Sequence, residues 1–423
     1  MLTIAVPMLL FTGIVAALAG VVLWVRVQLS ARLPVRITIN DQRRLDVTSG
    51  DTLLATLTGA GIHLPSACGG RGTCGQCRVI LEQGGGGELL PVERNHINRR
   101  DGSSGARLAC MLKVREDLEV TVPAELLSAR QWQCRVRSNR SLSTYLTELI
   151  LEMPEDQVLS FRAGDYLMVQ APVSAIDFRG FEIASGYRRE WEQNDLFRFS
   201  VEITEPTSRA YSLANAPDEA GRLTLVVRIA LPPPNAPDGA PPGLVSSYIF
   251  SLRAGDSVSV SGPFGNFHAT GTAREMVLIG GGAGIAPMRA IIRDQLLGKR
   301  GGADVQPAPA RTIHFFYGSR NQRELVYADE FRDLAARFEN FHYEVALSAP
   351  EPADNWSGSV GLVHSLVYER YLKDHPEPEA AEYYLCGPPL MSSAVLAMLE
   401  DLGVDRENIF YDDFGTPSGG RKP

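Results

Sequence analysis

The sequence predicts a multidomain chain of α+β and α/β class headed by one apolar helix, on three observations. Its 423 residues exceed an ordinary domain and allow about two to four. Residues 2–25 contain no charged side chain. Beyond them the hydrophobic pattern passes from short alternating strands to a continuously apolar strand that enters a glycine turn and a helix. A 44% hydrophobic content is that of packed domains and excludes wholesale disorder. With 41 Lys+Arg against 49 Asp+Glu, the net charge of −8 lacks the basic excess that phosphate neutralisation needs, so no nucleic-acid partner is expected. Six cysteines in this length exclude a disulfide scaffold.

Residues 2–25 are expected to form a transmembrane helix. At about 1.5 Å per residue the stretch reaches about 36 Å, enough to cross a hydrocarbon core of about 30 Å with some tilt. Pro7 falls near its start, where a helix tolerates proline, and Trp24 at its end, where an interfacial aromatic is expected. A secretory signal would carry positive charge ahead of a shorter apolar run, and only Met1 precedes Leu2. Arg26, Arg32 and Arg36 follow the stretch, which places the remaining chain in the cytoplasm.

The next segment, residues 34–126, opens with Val35, Ile37 and Ile39 alternating with polar residues, as on a half-buried strand. Cys68, Cys74 and Cys77 then follow in CGGRGTCGQC, and Cys110 lies 33 residues further on. Four thiolates, three of them in one tight loop, suit the four sulfur ligands of a [2Fe–2S] cluster. Structural zinc favours two separated pairs. Gly69, Gly70, Gly72 and Gly75 let the backbone wrap closely and turn its amides toward cluster sulfides. The segment resembles ferredoxin domains with the adrenodoxin-type C-x5-C-x2-C spacing. That resemblance implies a β-grasp fold, for which residues 52–60 can supply the helix. Cys134 lies outside the set and reads as a buried thiol with no role.

Residues 130–270 are strand-rich: residues 133–137, 146–151 and 166–170 alternate, as in an antiparallel β-barrel. Arg209-Ala-Tyr211-Ser212-Leu-Ala-Asn215 follows a strand, Arg228 lies in another, and Gly243, Ser246 and Ser247 open a helix after a proline-rich loop. Each suits a flavin nucleotide. An arginine offers paired donors to a pyrophosphate, and a tyrosine two residues along can lie flat against the ring. Ser212 can donate toward the flavin N5 region, and the Gly-x-x-Ser-Ser helix start offers amides and hydroxyls to phosphate. The order resembles the ferredoxin–NADP⁺ reductase superfamily, which implies FAD rather than FMN.

Residues 271–415 read as a Rossmann-like domain with a parallel sheet. The apolar strand before Gly280, Gly281, Gly282, Gly284 and Pro287 indicates a sheet covered on both faces, and the glycines admit a dinucleotide close to the helix N-terminus. Residues 312–317 with 327–337, and 343–346 with 362–370, read as further β/α pairs. A last strand ends in Cys386-Gly387-Pro388-Pro389. In the reductase superfamily such a turn lies beside the nicotinamide, which implies Cys386, Gly387 and Pro388 at that position. The same resemblance makes Phe414, after Asp412 and Asp413, the terminal aromatic that covers the flavin and moves for hydride transfer.

Over almost its whole length the chain resembles the F-subunits of bacterial sodium-translocating NADH:quinone reductases. CGGRGTCGQC, RAYSLAN, VRIALPPPNAPD, SSYIFSLRAGD, GGGAGIAPMR and YYLCGPPLM carry the resemblance, as does the long insertion at residues 177–199. It implies an anchored protein of the bacterial inner membrane that oxidises NADH. Electrons would pass through FAD and the [2Fe–2S] cluster to other membrane subunits, with ubiquinone as the downstream acceptor. NADH delivers two electrons together and the cluster accepts one, so a flavin between them is the required converter. Ser212, Cys386 and Phe414 would shape the hydride-transfer site. Ser319, Arg320 and Arg323 could meet a 2′-phosphate, which would favour NADPH, whereas the resemblance implies NADH. One apolar helix without an ionisable group supplies no ion path, so sodium movement would belong to other subunits. The alternatives are a reductase feeding an oxygenase, which has no reason to carry residues 2–25, and a non-catalytic assembly or redox-sensing protein.

Overall fold

The computed structural model describes residues 13–15, 17, 18, 20, 21, 33–66, 68–123, 130–155, 157–219, 221–233, 236, 237, 239–298 and 311–412. Within 2–25 the described positions are helical and exposed. Among the described residues no helix is long and apolar enough to cross a membrane, and most of the expected anchor lies outside them. The chain divides into two compact units, residues 1–64 with 70–127, and residues 65–69 with 128–421.

The first unit is a mixed five-stranded sheet in the order β2-β1-β5-β3-β4. It comprises β1 (Pro34–Ile39), β2 (Arg43–Thr48), β3 (Arg78–Gln83), β4 (Ala106–Leu108) and β5 (Leu118–Thr121). β1 runs parallel to β5 and antiparallel to β2, the mixed pairing of a β-grasp. In β1 the alternating Val35, Ile37 and Ile39 all point inward and are buried. They share a core with Leu53 and Leu57 of α1 (Leu53–Gly59), whose N-cap Thr52 accepts from the Ala55 amide at 3.2 Å.

Glu93 is enclosed in this unit and bridges to Arg107 on β4, with side chains 0% and 6% exposed. Arg107 Nε and Nη2 lie 3.0 Å from the two carboxylate oxygens, and the Leu90 and Leu108 amides also donate to Glu93. Arg107 reaches on to the Gly86 and Gly87 carbonyls, so one ion pair pins the glycine tract at 84–87 to the strand that leads to Cys110. Burial alone would push the Glu93 carboxyl up, but the bonds from Arg107, Leu108 and Leu90 outweigh it and hold it below the usual range. Glu93→Gln strands a buried guanidinium and is expected to cost about 3–5 kcal/mol in unfolding. The depressed carboxyl contributes stability above its unfolded-state pKa, about 4.3, and loses it as pH falls through the folded value. Urea unfolding of this unit should therefore show acid sensitivity below about pH 4.3 that Glu93→Gln lacks.

The second unit contains two large sheets. The first holds β6 (Arg130–Ser141), β7 (Leu146–Glu152), β8 (Tyr166–Ala171), β11 (Thr207–Ser212), β12 (Arg222–Arg228) and β13 (Ser257–Phe264) in the order β11-β8-β13-β6-β7-β12. Every pairing is antiparallel, and a bridge between Leu213 and Leu225 joins the two edges, so the sheet curls toward a barrel. Leu149, Leu151, Leu167, Val169, Leu225 and Val258 are completely buried in its core. Cys134 is also buried there, and burial pushes its thiol up to about 12, as suits an unreactive packing residue.

The insertion at 177–199 lies between the paired strands β9 (Ser174–Asp177) and β10 (Ser200–Ile203) and includes the helix Ser185–Gln193. Trp191 anchors it, buried among Phe178, Phe181, Phe197 and Phe250 and donating from Nε1 to the Thr144 carbonyl at 2.6 Å.

The second large sheet is entirely parallel, in the order β17-β16-β15-β14-β18-β19. Its strands are β14 (Met276–Gly281), β15 (Ile313–Ser319), β16 (Phe341–Leu347), β17 (Ser359–Val360), β18 (Glu382–Cys386) and β19 (Ile409–Asp412). β14 and β18 are buried along their whole length, as central strands of a covered sheet must be. Helices Ile285–Leu297, Ala328–Arg337, Val363–Arg370 and Pro389–Asp401 are interleaved with the strands. The strand order reverses between β14 and β18, the switch point at which open parallel sheets bind ligands.

Candidate functional site

The cysteine loop has a backbone that only its composition permits. Gly69, Gly70, Gly72 and Gly75 all take positive φ, between 65° and 84°. Space adds to this at Gly75, where a Cβ would stand 2.7 Å from the His96 ring, and is tight at Gly72, 3.1 Å from the Met111 sulfur. The Ala109 amide bonds to the Cys77 carbonyl at 2.8 Å, next to the pairing of Arg78 with Leu108, so Cys77 and Cys110 emerge at the same end of β3 and β4. Cys68, Cys77 and Cys110 are buried, Cys74 is half-buried, and none of the six cysteines forms a disulfide. Among the described residues no three His, Cys, Asp or Glu side chains are gathered for a single metal ion. A [2Fe–2S] cluster takes two thiolates on each iron, so its donor set does not require such a group. An all-thiol set, with three of the four buried and three of the four on a glycine loop, fits that cluster.

In the second unit β11 presents Arg209 and Tyr211 on one face, both half-buried, and ends in buried Ser212. Burial pushes the Tyr211 phenol far up, against the pull of Arg209, so it stays a neutral ring. Arg228 ends β12 and turns its guanidinium toward the glycine turn, where Nη1 is 3.9 Å from the place a Gly282 Cβ would occupy. Gly282 takes φ +56° and its carbonyl accepts from the buried Tyr317 hydroxyl at 3.2 Å. Gly280 pairs with Cys386 across β14 and β18, which sets the glycine turn beside the Cys386–Pro388 turn. At Gly284 a Cβ would penetrate the Cys386 carbonyl and stand 2.9 Å from the Gly387 nitrogen. Pro287 lies in the first turn of its helix, where proline lacks only an amide that would be unpaired, and Pro388 caps the helix after β18.

Ser212 and Cys386 are brought together through a residue that spacing alone does not single out. Asp412 ends β19 as the register partner of Cys386, and the Ser212 hydroxyl donates to its Oδ2 at 3.1 Å. The acidic pair ahead of Phe414 was the only sequence signal for it. Phe414 itself lies outside the described residues.

Four expected cofactor contacts differ. The Ser212 proton, expected to point toward the flavin N5 region, goes to Asp412 instead. Asn215 is completely buried, donating to the Arg222 carbonyl and accepting from the Thr224 amide, so it braces the turn between β11 and β12 and offers a ligand nothing. Ser246 and Ser247 are buried and both hydroxyls donate to the Gly243 carbonyl, which leaves only the first-turn amides of the helix Leu244–Ser251 for phosphate. Gly243 caps that helix as expected, with a Cβ excluded by Ala230 at 2.7 Å.

Comparison with known proteins assigns each of these regions. Residues 37–115 match the 2Fe-2S iron-sulfur cluster binding domain, 196–269 the oxidoreductase FAD-binding domain and 278–396 the oxidoreductase NAD-binding domain. The F-subunit of the Na(+)-translocating NADH-quinone reductase of Klebsiella pneumoniae subsp. pneumoniae is 48% identical, over 97% of this chain and 99% of that one. The chain belongs to the family of F-subunits of the Na(+)-translocating NADH-quinone reductase. A second member, from Neisseria gonorrhoeae, is 46% identical over 97% of this chain and 99% of its own. Among solved structures, an Amycolatopsis cytochrome P450 reductase is 26% identical with a TM-score of 0.61, covering 91% of this chain and 100% of that one. A ferredoxin reductase in carbazole 1,9a-dioxygenase, 23% identical with a TM-score of 0.56 and covering 91% and 99%, shares the fold. This chain thus combines a 2Fe-2S ferredoxin-type, an FAD-binding and an NAD-binding domain.

Proposed function

We infer that this chain is the NADH-oxidising, electron-input subunit of a sodium-translocating NADH:quinone oxidoreductase. The observation that carries the reading is identity of 48% over 97% of the chain with an F-subunit of that enzyme, a span that includes all three cofactor regions in order. The P450 reductase likeness is at 26% identity, which favours the quinone-reductase reading over an oxygenase one.

FAD, when bound, supplies the exchange between a two-electron hydride donor and a one-electron cluster. The chain's part is positioning. Tyr211 provides a neutral aromatic face and Arg209 a paired donor for pyrophosphate. Arg228 and the glycine turn at 280–284 hold the nucleotide phosphates at the switch point. Ser212 and Cys386, joined through Asp412, border the place where nicotinamide meets the flavin, and Asp412 holds the serine proton. Phe414 follows as the gate over the flavin. Cys68, Cys74, Cys77 and Cys110 hold the cluster. Domain limits of 34–126, 130–270 and 271–415 follow from the motif positions.

Residues 2–25 anchor the chain in the bacterial inner membrane with its cofactor domains in the cytoplasm, beside the partner subunits that reduce ubiquinone and move sodium. The uncharged run and its flanking arginines support this placement. The test uses inside-out vesicles from cells lacking the chain. NADH-driven quinone reduction and sodium uptake should be absent and return with the full chain. Full coupling restored by a chain without residues 2–25 would contradict the anchor, and sodium uptake undiminished without the chain would contradict the function.

A further inference from the structure

Where a dinucleotide fold reads the adenosine ribose, this chain carries two arginines that are already occupied. The strand following the glycine turn and its helix ends near the ribose 2′ position in such folds, where an acidic residue suits a free hydroxyl and an arginine suits a 2′-phosphate. Here that strand is β15, and Ser319, Arg320 and Arg323 stand at its end. Arg320 Nη2 lies 2.6 Å from Oε1 of Glu190, and Arg323 Nη2 lies 2.8 Å from Oε2.

Glu190 does not belong to the nucleotide sheet. It sits on the helix Ser185–Gln193, within the insertion between β9 and β10, with its side chain only 10% exposed. The Thr144 hydroxyl lies 3.0 Å from its Oε2, with its one proton shared with Glu324, and the neighbouring Trp191 donates to the Thr144 carbonyl, which fixes the helix that carries the carboxylate. Further acidic groups surround the pair: Glu351 lies 4.0 Å from Arg323, and Glu324 accepts from the Thr144 amide and hydroxyl. Both arginines are about half exposed, so a 2′-phosphate reaching them would share their guanidinium groups with a fixed, nearly buried carboxylate and sit against its charge. A 2′-hydroxyl meets no such penalty.

We propose that Glu190 sets the preference for NADH over NADPH by clasping Arg320 and Arg323 away from a 2′-phosphate. The insertion thereby gains a task, as a specificity arm that the barrel lends to the nucleotide domain. Glu190 acts through the arginines, so it is a positioning residue and its effect falls on binding rather than on hydride transfer. This rests on the reading of the chain as an NADH oxidase.

The test compares the full-length, FAD-loaded chain with Glu190→Gln, using 2′,5′-ADP as the probe for a 2′-phosphate and 5′-AMP as its control in calorimetry. Freeing two charge-assisted donors should tighten 2′,5′-ADP relative to 5′-AMP by about tenfold or more. The NADPH:NADH ratio of kcat/KM should rise by a similar factor, through KM. A double variant, Glu190→Gln with Arg320→Gln, should lose most of that gain. An unchanged 2′,5′-ADP to 5′-AMP ratio in Glu190→Gln overturns the proposal. Should that variant fail to fold, Arg320→Gln alone decides. A clasped arginine predicts a change in the NADPH:NADH ratio below about threefold, and a tenfold fall would mean that the arginine already serves a phosphate. If neither nucleotide bleaches the flavin of the unaltered chain, the electron-input reading fails, while the calorimetric comparison still judges Glu190.

Discussion

Cys74→Ala is expected to erase the rhombic EPR signal of the NADH-treated chain while leaving the NADH-dependent bleaching of its flavin. The two outcomes separate because the residues involved are separate. Cys74 lies in the first unit, whereas the residues proposed to meet the flavin and the nucleotide lie in the second. A [2Fe–2S] cluster requires four thiolates, and alanine supplies none. Electron delivery to membrane partners should fall to background, while ferricyanide reduction by NADH continues. An undiminished EPR signal would show that Cys74 is not a ligand.

Gly284→Ala should have the second large effect. Gly284 is packed against the turn after β18 so closely that a Cβ would overlap the Cys386 carbonyl. The obstacle is backbone on a completely buried strand, which cannot rotate aside as a side chain can. Relief requires the glycine turn and the Cys386–Pro388 turn to part, which opens the switch point. A shift of about 1 Å in positioning can cost about 10²-fold in rate, so NADH oxidation should fall by about that factor. The cluster spectrum should persist. Gly180→Ala offers the control, since a Cβ there meets nothing within 4 Å. It should leave activity close to that of the unaltered chain, and equal losses in the two variants would refute the steric account.

The parts of this protein that were legible in its sequence are those in which local geometry dictates residue type. Gly72 and Gly75 announce a loop that must turn left-handed in tight quarters, and the apolar run ending in Gly280 announces a central parallel strand. Tyr211 and Arg209, two apart on a strand, announce a shared face. Contacts between distant segments carry no such spacing signal. Asn215 reads as part of a cofactor motif, yet a buried amide between two backbone strands finds its partners in Arg222 and Thr224. Ser246 and Ser247 satisfy the Gly243 carbonyl because a hydroxyl in the first helical turn reaches backbone more readily than a ligand. Asp412 meets Ser212 across 200 residues, and Glu190 meets Arg320 across 130, so neither pairing has a local pattern. Arg320 and Arg323 read by position as phosphate donors, while in the fold the carboxylate of Glu190 lies against both.

The central claim is that one chain holds a two-electron acceptor and a one-electron acceptor in series from NADH. Anaerobic titration of the purified full-length chain with NADH, followed by absorbance and EPR together, tests it most directly. A flavin taking two electrons and a cluster taking one require about one and a half NADH per chain, with flavin bleaching and a rhombic signal both complete at that point. Bleaching that ends at about one NADH without any paramagnetic cluster, in fully iron-loaded protein, would contradict the account.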